Sequence, residues 1–65
     1  MNLMEGLLSE MNRARELQKQ YEEIGTPGLF GAAMIRGAIA AAEGAIASND
    51  VVAMLTSYAK LKELE

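Results

Sequence analysis

The sequence predicts an all-α protein of three helices, in which an antiparallel helical hairpin is followed by a shorter third helix. Three observations support this fold class. Apolar residues recur at steps of three and four over long segments. Residues 25–28 and 48–50 are of the types that end one helix and begin the next. No segment shows the alternating pattern of a β-strand.

The first predicted helix covers about residues 2–24. Its apolar residues follow one stripe, while charged residues occupy the other faces. The stripe consists of Leu3, Leu7, Ala14, Leu17, Tyr21 and Ile24, and it is widened by Met4 and Met11.

The connection after the first helix is predicted to be very short. Gly25 suits a left-handed position that ends a helix, Thr26 suits an N-cap, and Pro27 suits the first position of the next helix. A connection of this length forces the two helices to run antiparallel.

The second predicted helix covers about residues 28–47 and is apolar around most of its circumference, so more than one of its sides is expected to be covered. Glycine inside a helix costs up to ~1 kcal/mol relative to alanine. Gly31, Gly37 and Gly44 therefore imply close packing of this helix against another helix or another molecule. The expected solvated edge is Ala32, Arg36, Ala40, Glu43 and Ala47. The candidate interface between copies of the chain is Phe30, Ala33, Met34, Gly37, Ala41 and Ala45.

The third predicted helix covers about residues 50–63. Ser48, Asn49 and Asp50 favour helix caps, and Asp50 suits a helix N-terminus. Lys60 and Lys62 complement the dipole at the other end. The short connection permits this helix to fold back on its own chain or to exchange with a neighbour.

The composition bounds what kind of protein this is. At 65 residues it is one domain, which on folding buries only about 60% of the surface of its unfolded chain. It has no Cys and no His, so disulfides and the usual metal sites are not expected to stabilise it. Self-association is the remaining route, and we expect a homo-oligomer.

Charge and hydropathy disfavour two classes of partner. The formal net charge is −3 and the basic residues are scattered, so binding to duplex nucleic acid is not expected. Residues 29–47 have the length of a membrane span, but Arg36 and Glu43 lie near the middle, where charge is costly in lipid. The N-terminal residues lack the pattern of a signal peptide. We expect a cytoplasmic protein without a membrane span.

The residue types for catalysis are sparse. Without His or Cys, the remaining Asp, Glu, Lys, Tyr, Ser and Thr residues form no recognisable catalytic set, so we expect a non-enzymatic protein without a cofactor. Glu22, Glu23 and Asp50 are interpreted as solvated charges and not as metal ligands, since adjacent helical residues point about 100° apart.

Five residues are candidate ligand contacts. Thr26 and Gly28 open a helix, whose free N–H groups suit a phosphate, although an ordinary capped turn explains them too. Arg36 is a candidate partner for a carboxylate or a phosphate. Tyr21 and Tyr58 lie on apolar stripes, where core packing is the default and stacking on a planar ligand is the alternative.

Four segments carry a resemblance to a known group of proteins. They are the turn Gly25 to Gly28, the Ala-rich core Ala32 to Ile35, the segment Asp50 to Met54 and the ending Tyr58 to Lys62. With them, the C-terminal two thirds of the chain resembles small helical accessory proteins of tailed phages and prophages. The short hairpin with its Pro-Gly connection is also similar in architecture to phage sponge proteins, oligomers that hold cyclic nucleotides of antiviral signalling at their subunit boundaries.

These resemblances imply a function. The chain is expected to be a phage-encoded binding protein in the host cytoplasm that counteracts antiviral defence by sequestering a nucleotide signal at an oligomer interface. Two alternatives stay open: an inhibitor that occludes a host defence or regulatory protein, and a structural accessory protein of the phage.

Overall fold

The computed structural model describes residues 2–64, which form three α-helices and, within that range, no strand. The helices are α1 (Leu3–Glu23), α2 (Thr26–Ala47) and α3 (Val51–Glu63). Each helix packs against the other two, so the chain is a three-helix bundle and the predicted all-α class is confirmed. In this bundle α3 packs on α1 and α2 of its own chain.

The start of α1 is capped by side chains. The Asn2 side-chain oxygen accepts a hydrogen bond from the backbone N–H of Glu5 at 2.8 Å, and Asn2 Nδ2 lies 3.5 Å from Glu5 Oε1. The Asn2 oxygen thus satisfies a backbone donor that the helix itself leaves unpaired. The predicted stripe then faces the core through Leu7, Met11 and Ala14.

The connection between α1 and α2 turns at Gly25. Its φ of 90° and ψ of −149° belong to a region that is almost restricted to glycine, as the predicted positive φ requires. The prediction of Thr26 as N-cap is wrong, because α2 already begins at Thr26 and no side chain caps its N-terminus. Gly25 therefore follows the end of α1 and is at the same time the N-cap of α2. Pro27 occupies the second position of α2 and not the first, and proline is tolerated throughout the first helical turn.

Two glycines let α2 approach α1 closely. A Cβ atom on Gly28 would overlap the backbone carbonyl oxygen of Tyr21, and a Cβ atom on Gly31 would overlap the Tyr21 ring. Glycine at these two positions is thus explained by packing inside the hairpin.

The turn from α2 to α3 satisfies the end of one helix and the start of the next. The N–H of Asp50 donates to the carbonyl of Ala45, and that of Asn49 donates to Ile46, each at 3.1 Å. Asn49 adopts a φ of 55°, which completes a Schellman motif. The Asp50 carboxylate then accepts from Ala53 N–H at 3.1 Å, so Asp50 caps α3 as its residue type predicts.

The core lies between all three helices. Its members are buried apolar side chains from each helix, and Leu7 and Leu61 are the largest that are fully enclosed. The cluster consists of Leu7, Met11, Ala14, Ile35, Ile39, Ala42, Ala45, Met54 and Leu61.

Two α2 residues lie on a different side of the helix from the one predicted. Ala32, predicted on the solvated edge, is buried, and Ala45, predicted at the interface, belongs to the core cluster. A step of four residues advances by about 400° around a helix, so a row at that spacing turns from one side to another within a few steps. Ala33 is therefore exposed while Ala45 is enclosed.

By length and composition α2 meets the requirements for a helix that crosses a membrane, with a mean hydropathy of 1.4 over its most apolar window. Core helices of soluble proteins meet the same requirements, so this feature is weak evidence for a bilayer and is compatible with a soluble protein. Only 28% of that window is buried in the bundle, so most of this apolar helix is not covered by its own chain.

Candidate functional site

One side of α2 faces away from the bundle and carries no charge; we call it the outer face. Phe30 is 77% exposed and Met34 is 58% exposed, although both are large apolar side chains. Arg36 and Glu43 are also exposed, but they border the outer face along one edge. The outer face consists of Phe30, Ala33, Met34, Gly37, Ala40, Ala41 and Gly44.

The outer face is exposed because α1 and α3 pack on the opposite side of α2. That side supplies Ile35, Ile39 and Ala42 to the core. On a helix, residues about half a turn away from these must point outward. Five of the six predicted interface residues therefore lie together on the outer face, and Ala45 is the exception.

Two glycines of the outer face have no packing role in their own chain. A Cβ atom added to Gly37 or to Gly44 would meet nothing within 4 Å. Glycine inside a helix costs about 0.5–1 kcal/mol relative to alanine. In contrast to Gly28 and Gly31, these two positions gain nothing within the bundle from the absent side chain.

An open groove between α2 and α3 adjoins the outer face. Its volume is about 460 Å³, which is within the range of small-molecule sites. Polar groups enter it from α3 through Ser57, Lys60 and Glu63. Its remaining walls are Met34, Gly37, Ala38, Ala41 and Leu64, so three outer-face residues also line this groove.

The structure brings two of the five ligand candidates together. Tyr21 and Gly28 touch where α1 and α2 pack, and Tyr21 also lines a smaller cleft of about 110 Å³ with Gly31 and Leu64. The N–H of Gly28 already donates to the carbonyl of Gly25 at 2.9 Å, so this donor is occupied.

The other three ligand candidates lie apart from these clefts. Thr26 is exposed at the first position of α2. The Arg36 side chain is exposed and makes no hydrogen bond or ion pair with any of residues 2–64. Tyr58 is half-buried against the core, and the Lys62 ammonium lies 5.3 Å from the centre of its ring. None of the three is among the lining residues of the two clefts.

Most polar side-chain contacts within residues 2–64 lie on the surface. Over residues 2–64, no three acidic side chains come close enough to hold a metal ion. The ion pairs of the same range are exposed helical contacts, such as Arg15 to Glu43 at 3.5 Å between α1 and α2. Exposed pairs of this kind contribute little to stability.

Sequence reasoning missed the polar residues of the groove and one polar contact between helices. The guanidinium of Arg13 on α1 donates to the carbonyl of Leu61 at 2.6 Å and to that of Leu64 at 3.0 Å, at the end of α3. No local pattern could indicate this contact, since the partners lie 48 and 51 positions along the chain.

No protein family, curated protein or solved structure matches this chain.

Proposed function

We propose that this protein acts by binding and not by catalysis, and that its working surface is the outer face of α2. The observation that carries the proposal is the exposure of Phe30 and Met34 on a helical face without charge. Fully burying a side chain of this size contributes about 1.5–3 kcal/mol, and the bundle leaves most of that gain unused. A contiguous exposed apolar patch of this kind is typical of an interaction surface.

A second candidate function is the sequestration of a nucleotide signal by a phage-encoded protein in the host cytoplasm. The observation that favours it is that the groove shares Met34, Gly37 and Ala41 with the outer face. A partner seated on the outer face would roof the groove, and Lys60 would supply a positive charge for a phosphate. The phage origin is proposed from the resemblance of the segment after residue 25, and an inhibitor of a host defence protein would use the same face.

The test is native mass spectrometry of the protein purified from cells, with matched variants. Phe30→Ser removes the exposed ring of the outer face, while Val52→Ser changes a side chain of α3 that is 73% exposed. We expect the wild type and Val52→Ser to carry additional mass, as further copies or as a bound molecule. We expect Phe30→Ser to lose the additional mass, because the substitution removes the largest apolar side chain of the outer face.

The outcome that contradicts the proposal is equally direct. A wild-type chain without additional mass would contradict the proposal. Additional mass that Phe30→Ser retains and Val52→Ser loses would mean that the working surface is not the outer face. For the second candidate, retained mass of nucleotide size should disappear in Lys60→Ala and persist in Lys19→Ala, a lysine on the exposed side of α1. Retention in both variants would exclude the groove as the nucleotide site.

A further inference from the structure

We propose that a second copy of this chain occupies the outer face, with the two α2 helices packed antiparallel and Gly37 at the two-fold axis. This inference rests on the proposed function, because it names the partner of the same face. It is supported by the positions of the large and small residues, by the distribution of charge and by the available area.

The positions of large and small residues are self-complementary about Gly37. Phe30 precedes Gly37 by seven residues and Gly44 follows it by seven, so all three lie along one line of the helix. A two-fold contact pairs residue i of one copy with residue j of the other, and j with i. Phe30 of each copy then lies level with Gly44 of the other, where no side chain occupies the space.

This pairing gives a physical role to the glycines that the bundle leaves unexplained. An added Cβ on Gly37 or Gly44 meets nothing in its own chain, yet both positions carry the helix cost of glycine. At the two-fold axis Gly37 permits the two backbones to approach closely, and Gly44 receives the Phe30 ring of the second copy. Around them, Ala33 of one copy lies level with Ala41 of the other.

The charge distribution permits a contact between identical chains. Each chain has a formal net charge of −3, so a contact between two copies is most favourable on a surface that brings no like charges together. The outer face is such a surface, since Arg36 and Glu43 stay at its edge and are not buried when two copies meet.

The area predicts a weak and reversible dimer. One side of a helix of this length offers on the order of 500 Å². Two copies would then bury roughly 1,000 Å² in total, near the lower limit of specific interfaces. We therefore expect association that depends on protein concentration.

A lipid surface fits the outer face less well. Helices that lie on membranes usually combine large apolar residues with many Lys or Arg residues along the border. The outer face instead has alanine and glycine at five of its seven positions, and the only basic residue of α2 is Arg36. Small residues favour close approach of a second helix over insertion among lipid chains.

The test is disulfide cross-linking, for which the absence of native cysteine is convenient. Ala33→Cys and Ala41→Cys are prepared separately, mixed in equal amounts and oxidised under mild conditions. The antiparallel register places these two positions level with each other, whereas two copies of residue 33 lie about 12 Å apart along the axis. A disulfide requires Cα atoms within about 7 Å. We therefore expect the mixed dimer to form at least tenfold faster than either self-dimer.

The control is Ala59→Cys, an exposed alanine of α3, mixed with Ala33→Cys. Faster self-dimers of Ala33→Cys would overturn the register while leaving the outer face as the binding surface. The chain could instead be a monomer by light scattering at high concentration and float with anionic lipid vesicles. That result would exclude a second copy as the partner and would keep the outer face as the binding surface. If Ala59→Cys and Ala33→Cys form a disulfide as fast as Ala33→Cys and Ala41→Cys, the cross-links come from random collision and the inference is wrong. The effect of Phe30→Ser on bound mass then tests the proposed function separately.

Discussion

At the scale of single residues, glycine has two different roles on the same helix. Gly28 and Gly31 lie against Tyr21, where the bundle has no room for a side chain. Gly37 and Gly44 lie on the outer face, where the bundle has ample room. The same residue type therefore reports tight packing inside the chain at one end of α2 and an open surface along the rest.

Substitution by alanine should separate these two roles. Gly28→Ala forces a methyl group into the Tyr21 carbonyl, and we expect it to destabilise the chain by roughly 1–3 kcal/mol, as overpacking does. The matched control Gly44→Ala should stabilise the chain by about 0.5–1 kcal/mol through helix propensity. Urea unfolding monitored by circular dichroism, at a concentration where the chain is monomeric, measures both. Equal effects of the two substitutions would contradict the packing around Tyr21.

At the scale of helices, Arg13 joins α1 to the end of α3. Its guanidinium donates to the carbonyls of Leu61 and Leu64 at the end of α3, and its positive charge suits the negative end of the helix dipole. The same side chain also pairs with Glu10 at 3.0 Å. Arg13 thus holds α3 against its own chain.

We expect Arg13→Ala to destabilise the chain by about 1–2 kcal/mol, because hydrogen bonds to a charged donor are among the stronger ones. Arg15→Ala is the matched control, since both side chains are 43% exposed on α1 and Arg15 makes no polar contact with α3. Its polar contacts are an ion pair with Glu43 at 3.5 Å and a hydrogen bond to Asn12 Oδ1 at 3.2 Å. That control should change stability by less than about 0.5 kcal/mol. Thermal unfolding of both variants is the measurement, and an equal loss in both would mean that the contact with α3 contributes no more than a surface ion pair.

At the scale of the whole molecule, the three helices enclose a small core, while the apolar helix α2 stays largely uncovered on its outer face. The bundle formed by residues 2–64 measures 35 by 21 by 16 Å, and within it α1 and α3 together cover one side of α2 and leave the outer face open. The second copy proposed above would bury this face and would stabilise the chain further.

The melting temperature of the wild type should therefore rise with protein concentration, because association that requires the folded chain stabilises it by mass action. Gly44→Leu should flatten this dependence. Its side chain has free space in the single chain but would occupy the position proposed for Phe30 of the second copy. Calorimetry over a hundredfold range of concentration measures both proteins. A melting temperature that is independent of concentration in the wild type would contradict self-association.

The local sequence was sufficient to determine the three helices and most of their ends, with the start of α2 as the exception. Steps of three and four fix α1 and α3, Gly25 carries the positive φ that its residue type permits, and Asp50 caps α3. These features depend on neighbours within one or two turns, so a single stretch of residues contains the information. The misplaced N-cap at Thr26 is a local error too, since Gly25 serves both helices at once.

Only the tertiary structure decided which side of α2 is buried and which polar groups face the groove. A helix that is apolar nearly all round has no direction in its own pattern, so the packing of α1 and α3 selects the side of Ile35 and Ile39 and leaves Phe30 outside. The packing of the three helices also places Ala45 in the core. The same packing brings Arg13 to the end of α3 and Lys60 to the groove, and no sequence motif indicates either position. The hydrophobic effect is non-directional, so it does not by itself select which side of an apolar helix is buried. In this chain the packing of the three helices makes that selection.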